Sequence, residues 1–419
     1  MSTSAKRAVI GACIALFANM GMNSTFTVFL KTLIGEWPEA YAVMLLPITV
    51  GCAMSFICSS FLMGPLMKKL SPRMIFPLCA ALGAVYCVAY ASAPNYTVLI
   101  LASVFGGLVL SLGTHAMGVN VITPYFAEYG SKASAVIGTV LASASLGAAV
   151  FSFSPGLVPL VGNNWRNAYL VIGAVVVLCN LIAFFIIPKT PKTDPAASAG
   201  AAGEAQPLPG LTMSAALKTP SFWLVFFGIF FMTVMYQGLC GHLPTFLKVI
   251  GMEENRANSM QGIMQFVGIV FVLFGGAIVN KIGVKGLILF AGVPLAVGCL
   301  LFGFAFKDPN AFWFAIVCSV LCVTGAMILN ICPVITPALF GQREMNRINA
   351  IYSGGVFWGA AAVAAQIMNF VINETVNGEV VPMHYDRGFL LAVAFGVAGM
   401  ICLFVSLALS PMKKKSAEA

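Results

Sequence analysis

Twelve apolar stretches, each closed by a short polar segment, leave this chain few folds to choose from. They run approximately over 8–34, 40–64, 74–93, 97–126, 134–160, 167–188, 221–247, 258–280, 286–306, 311–340, 348–372 and 388–410. Crossing a bilayer as a helix takes roughly 20 apolar residues. In hydrocarbon the backbone must satisfy its own hydrogen bonds, so stretches of this length predict helices. The expected fold is an all-α integral membrane protein with 12 transmembrane helices. Charge agrees: 8% of residues are charged and 60% hydrophobic, whereas a water-exposed globular surface needs roughly 25% charged residues. The first stretch, from about Ala8, is long enough to span and shows no small-residue cleavage site, so it is expected to remain as a span.

The formal net charge of +9 sits at the ends of apolar runs rather than on one polar face, which argues against nucleic-acid binding and for orientation in a membrane. With both termini placed on the cytoplasmic side, 16 of the 22 Lys and Arg residues fall on that side and 6 on the other. That bias predicts cytoplasmic termini and an even number of spans. Short loops suggest a bacterial inner (plasma) membrane. The 12 cysteines are scattered singly with no CxxC or Cys/His ligand spacing, so they are read as buried small hydrophobes. No metal or cofactor is implied.

The longest interruption, 189–219, is rich in Ala, Gly and Pro and cannot bury a core. It is read as a cytoplasmic linker between an N-terminal half, 1–188, and a C-terminal half, 220–419. An internal repeat supports that division. Val121-Ile122-Thr123-Pro124 recurs as Val334-Ile335-Thr336-Pro337 at an offset of 213, and Phe29-Leu30-Lys31 recurs as Phe246-Leu247-Lys248 at an offset of 217. Each pair lies in equivalent spans, predicting two pseudo-symmetric six-helix halves with a solute site near the midplane where they meet.

Two loops carry a family resemblance. Gly276 to Lys285 (GAIVNKIGVK) resembles the major facilitator signature G-x-L-a-D-r-x-G-r-k, with Asn280 in place of the acid. Gly64 to Arg73 (GPLMKKLSPR) is its counterpart in the first half, with Lys68 at the acid position. The resemblance implies the major facilitator fold and gating roles for Lys68, Arg73, Asn280 and Lys281; the chain is expected to be a monomer. A narrower resemblance is to the monocarboxylate and oxalate:formate antiporter branch. Lys218 to Trp223 (KTPSFW) looks like that branch's R/K-T-P-x-F-W, and the stretches Asn120 to Phe126, Gly138 to Gly147 and Cys332 to Gly341 are similar to it. The branch's span-eight Arg position holds Val272, its span-eleven Lys position holds Phe357 or Ala361, and its aromatic cage positions hold Gly325 and Leu329. Its anion-binding cations are therefore not present.

By these spans no Lys, Arg, Asp or Glu sits in mid-membrane, where an ion costs at least ~2.5–3.5 kcal/mol and marks function. That disfavours coupling through a carboxylate. His115, near the middle of span four, is the leading polar candidate; it is read either as a proton or anion partner or as a neutral histidine bonded between helices. Asn19, Asn23 and Thr27 share one face of span one at four-residue spacing, beside Ser24. Tyr236 and Gln237 in span seven, Gln261 and Gln265 in span eight, Asn330 in span ten, and Tyr352 and Trp358 in span eleven complete the candidate substrate-binding set. His242 is placed near the outer interface. Each of these serves either a solute or helix packing. No cluster of nucleophiles, acids or metal ligands points to an enzyme, and no Walker motif to ATP. The expected function is a secondary transporter, antiporter or symporter, for a small organic solute such as a monocarboxylate. The alternatives are a neutral or larger amphipathic solute, or a transporter-like sensor.

Overall fold

The computed structural model describes residues 2–43, 45–125, 129, 132–189, 210–376, 379–382 and 384–412. Twelve membrane helices make up the bundle. In the first half they are α1 (Thr3–Glu36), α2 (Leu46–Met67), α3 (Pro72–Ala91), α4 (Tyr96–Tyr125), α5 (Ala133–Phe151) and α6 (Trp165–Ile186). In the second they are α7 (Pro220–Val249), α8 (254–282), α9 (284–300), α10 (Phe312–Phe340), α11 (Met345–Ile372) and α12 (Tyr385–Ala408). Ten helices are singly long and apolar enough to cross a membrane, and α5 with the bent 3₁₀ segment Ser154–Val161 is an eleventh. The twelfth, α8, carries the shorter apolar stretch Gly262–Gly275.

Local chemistry sets the ends. Ser2, Asn95 and Asn164 cap α1, α4 and α6 by accepting from Ala5 N, Val98 N and Arg166 N, each satisfying a backbone donor that the helix leaves free. Pro220 occupies the first turn of α7, where its missing N–H costs nothing. Between α8 and α9 the chain does not form a loop. Gly283 adopts φ 67°, a left-handed conformation that breaks one long helix into two spans. An antiparallel hairpin, β1 (Asn373–Val376) and β2 (Glu379–Pro382), joins α11 to α12; the sequence reading did not anticipate it. It lies outside the membrane helices, so the transmembrane architecture remains all-helical.

The repeat has a conformational counterpart. α4 breaks at Gly113-Thr114, between the α-helical segments Tyr96–Leu112 and His115–Ile122. At the same place in the second half, α10 tightens into a 3₁₀ turn over Thr324–Met327. Large apolar side chains such as Trp313 and Phe370, 79% and 89% exposed, face outward as only a lipid solvent tolerates.

The two halves meet along two seams. On one, α5 lies against α8, with Gly138 so close to the Val272 and Leu273 carbonyls that an added Cβ would come within 3.2 and 2.9 Å of them. On the other, α2 and α4 meet α11. The described hydrogen bonds between halves all use α11: Thr49 to the Ala362 carbonyl, Gln366 to Thr49, Ser55 to the Gly354 carbonyl, and Thr123 to Asn346.

Candidate functional site

Among α1 to α4 of the first half, closed on one side by Trp358 of the second, lies a cavity of about 120 Å³. Its wall from α1 comprises Met20, Asn23, Ser24, Phe26 and Thr27; α2 adds Pro47, Ile48, Gly51 and Cys52. Tyr86 and Tyr90 come from α3, Ser103, Gly106 and Leu110 from α4, and Trp358 from α11. None of these is an Asp, Glu, Lys or Arg. The recognising chemistry is therefore amide, hydroxyl, indole and aromatic face.

Each polar group is held by its neighbours. Asn23 donates to the Asn19 carbonyl at 2.9 Å, and Ser24 to the Gly21 and Ala148 carbonyls. Gly106 leaves the room that Tyr86 and Asn23 fill; a Cβ there would lie 2.9 Å from the Tyr86 ring and 3.4 Å from Asn23 Oδ1. The Tyr86 and Tyr90 rings sit 4.4 Å apart, and Tyr90 bonds Ser103 at 2.7 Å while Ser103 donates to the Leu99 carbonyl.

Trp358 and His115 stand out because they lack partners. Trp358 is 6% exposed and its Nε1–H has no acceptor; His115 is 4% exposed and its Nδ1 has no partner. Their ring centroids are 5.9 Å apart. His115 does not line the cavity. It opens the second segment of α4, just past the break, and lies behind Trp358. Buried polar atoms are rarely left unpaired, since each costs about 1–3 kcal/mol.

The other sequence candidates fall elsewhere. Asn19 is fully buried and locked to Asn180 by reciprocal amide bonds of 2.7 and 3.1 Å, with a further bond to the Gly113 carbonyl freed by the α4 break. It holds helices together and does not reach the cavity. Tyr352 donates to the Phe222 carbonyl at 3.1 Å, joining α11 to the start of α7. Asn330 reaches the Val272 carbonyl at 3.5 Å and packs on Gly275. Tyr236 packs beside Gly325 within the second half, and neither it nor Gln237 is in the cavity lining. The side chains of Gln261 and Gln265 lie outside the described ones. His242 bridges the Gly238 carbonyl and Asn369 at 2.8 and 2.9 Å. Tyr86, Tyr90 and Ser103 were missed; the signal was the four-residue spacing of two tyrosines in an otherwise apolar span.

The expected gating residues make no described contact across the halves. Arg73 stacks on Phe184 at 4.3 Å, within its own half. Asn280 and Lys281 are exposed at the end of α8, and the Lys68 side chain lies outside the described ones. At this basic end the halves are joined through the α10–α11 turn instead. The Arg347 Nε lies 3.4 Å from where a Cβ of Gly64 would be, Asn346 accepts from Thr123, and Glu344 pairs with Arg347 at 3.7 Å. Glu344 also accepts from the Met213 N–H at 2.7 Å, and Leu211 N donates to the Phe340 carbonyl. The end of the linker is thereby tied to this turn. Among the described residues no group of three or more His, Cys, Asp or Glu side chains could hold a metal ion.

Two six-helix halves with an uncharged cavity lined by the first half and Trp358 of the second have the architecture of a membrane carrier. The family model described as Major Facilitator Superfamily matches residues 12–365, and the chain belongs to that superfamily of transporters. No curated protein matches it significantly. Among solved structures, a crystal structure of the nucleoside transporter NupG is similar with a TM-score of 0.63 and 16% identity, covering 96% of this chain and 99% of that one. At that identity the likeness is one of fold.

Proposed function

We propose that the chain is a secondary carrier that moves a small organic solute bearing a hydrogen-bond acceptor, by alternating access, with both termini in the cytoplasm of the cell whose plasma membrane it spans. The observation that carries this reading is the buried, unpaired indole N–H of Trp358, the residue of the second half that lines the cavity. A carboxylate or an uncharged carbonyl or hydroxyl would accept from it, with Asn23, Ser24 and Thr27 on the facing wall and Tyr86 and Phe26 as apolar flanks. The organic-anion reading draws support from the absence of any acidic side chain in the lining and from the resemblance of KTPSFW to the antiporter branch. The neutral reading draws support from the absence of any cation there. NupG, a nucleoside transporter by its title, shares the fold and adds an uncharged solute class to those worth testing.

The test is ligand-induced thermal stabilisation of the purified protein, since a ligand that binds only the folded state raises apparent stability by mass action. The panel is monocarboxylates, dicarboxylates, nucleosides and neutral polyols. Stabilisation by one class, reduced at the same ligand concentration in Trp358→Phe, supports the carrier site. A class that stabilises wild type and Trp358→Phe equally overturns the assignment of that site.

A further inference from the structure

A second cavity, of about 320 Å³, lies at the basic end, away from the seam between halves. It opens where α8 turns into α9, against the ends of α10 and α12. We propose that it binds an anionic phospholipid, the phosphate headgroup at Lys285 and Ser410 and an acyl chain along the apolar walls.

Four observations carry this. First, Ser410 lines the crevice, is 2% exposed, and its hydroxyl has no partner. An unpaired buried hydroxyl asks for an acceptor such as a phosphate oxygen. Second, Lys285 lines the same crevice and is exposed, Lys281 is exposed one turn earlier, and no lining residue is acidic. Third, Gly283, at φ 67°, ends α8 and starts α9, whose N-terminal end favours negative charge. A Cβ on Gly283 would meet nothing within 4 Å, so the approach is open. Fourth, the remaining walls are apolar, Leu339 and Leu407 among them, and Ile282 at the mouth is 46% exposed. A soluble anion needs no such wall, whereas a lipid presents both a phosphate and a chain. The site sits at the ends of membrane helices, the depth at which headgroups lie, and basic residues there attract anionic lipid. The inference rests on membrane embedding and not on the solute proposed above.

The experiment compares thermal stability of the full-length protein in detergent with added phosphatidylglycerol, with phosphatidylcholine of the same chains, and with inorganic phosphate. The expected result is a rise of at least about 3 °C with phosphatidylglycerol only, by mass action on the folded state, and its loss in K285Q and in S410A. Both variants should melt as wild type does in phosphatidylcholine, which separates a lost site from a lost fold. An equal rise with phosphatidylcholine, or a phosphatidylglycerol rise unchanged in both variants, overturns the site. A full rise with inorganic phosphate alone overturns the lipid as its occupant.

Discussion

The rings of His115 on α4 and Trp358 on α11 lie 5.9 Å apart across the seam between the two halves, and neither His115 Nδ1 nor Trp358 Nε1 has a partner. One group belongs to each half. Under the proposed alternating access, separation of the halves at the basic end would part this pair and change its environment. A solute accepting from Trp358 is therefore bound to the half that moves relative to α1 and α3, which is what coupling of binding to rocking requires.

Replacing Trp358 by Phe keeps an aromatic ring but removes the donor together with part of the buried ring volume. The expected loss is that of one hydrogen bond, about 0.5–1.5 kcal/mol, or a roughly two- to twelvefold weaker Kd. The melting temperature without ligand should fall only modestly, because loss of a buried unpaired donor offsets part of the cost of the ring volume removed. A titration by calorimetry reads the first and a thermal scan the second. An unchanged Kd would remove Trp358 from the recognition site.

Asn19 and Asn180 should behave as a structural unit. Asn19→Ala strands the Asn180 amide and the Gly113 carbonyl, all fully buried, at an expected cost of about 1–3 kcal/mol. Asn180→Ala should cost about as much, and the double variant less than the sum, because each single change leaves the other amide unsatisfied. Thermal unfolding of the four proteins gives the cycle. The rank order of ligands in the binding panel should not change, and a reordered panel would put Asn19 back in the site.

At the basic end, Arg347→Ala should loosen closure by removing the side chain that packs on Gly64 and pairs with Glu344. The pair is partly exposed, so its own contribution is small, about 0–1 kcal/mol; a shift of that size still changes the open population severalfold. The Ser60 hydroxyl on α2 is buried against Gly355 of α11, and labelling of Ser60→Cys by a membrane-impermeant maleimide in inside-out vesicles should speed up accordingly. Arg73→Ala, whose partner Phe184 is in its own half, should leave that rate as it is.

Much of the architecture was legible because lipid imposes it. Span number, helix class and the repeat all follow from runs that must satisfy their own backbone. What the pattern could not convey was orientation of polar side chains about a helix axis. Asn19 and Asn23 share a face at four-residue spacing, yet Asn19 turns to Asn180 while Asn23 lines the cavity. The difference comes from the α4 break at Gly113-Thr114, which frees a carbonyl that Asn19 then occupies. A sequence does not announce that break. The signature loops drew attention to Lys68, Arg73, Asn280 and Lys281, whereas the described side chains that join the halves at the basic end are Asn346 and Arg347, the latter against Gly64 of the first of those loops.

Glycines offer the sharpest test of how tightly the site is held. Gly147 on α5 faces the Phe17 carbonyl of α1, and an added Cβ would overlap that backbone group. Backbone of a packed helix cannot step aside as a flexible side chain does, so Gly147→Ala should cost about 1–3 kcal/mol through overpacking. It should also weaken solute binding, because α1 must move off α5, and Ser24 in the cavity wall bonds the Ala148 carbonyl one residue along. Gly241 on α7 meets nothing within 4 Å, so Gly241→Ala should be neutral or stabilise by up to about 1 kcal/mol, as a helix gains from losing a glycine. Thermal unfolding and the ligand panel on both variants check the contrast. Equal melting temperatures for the two would mean that α1 and α5 do not approach as closely as their backbones are placed.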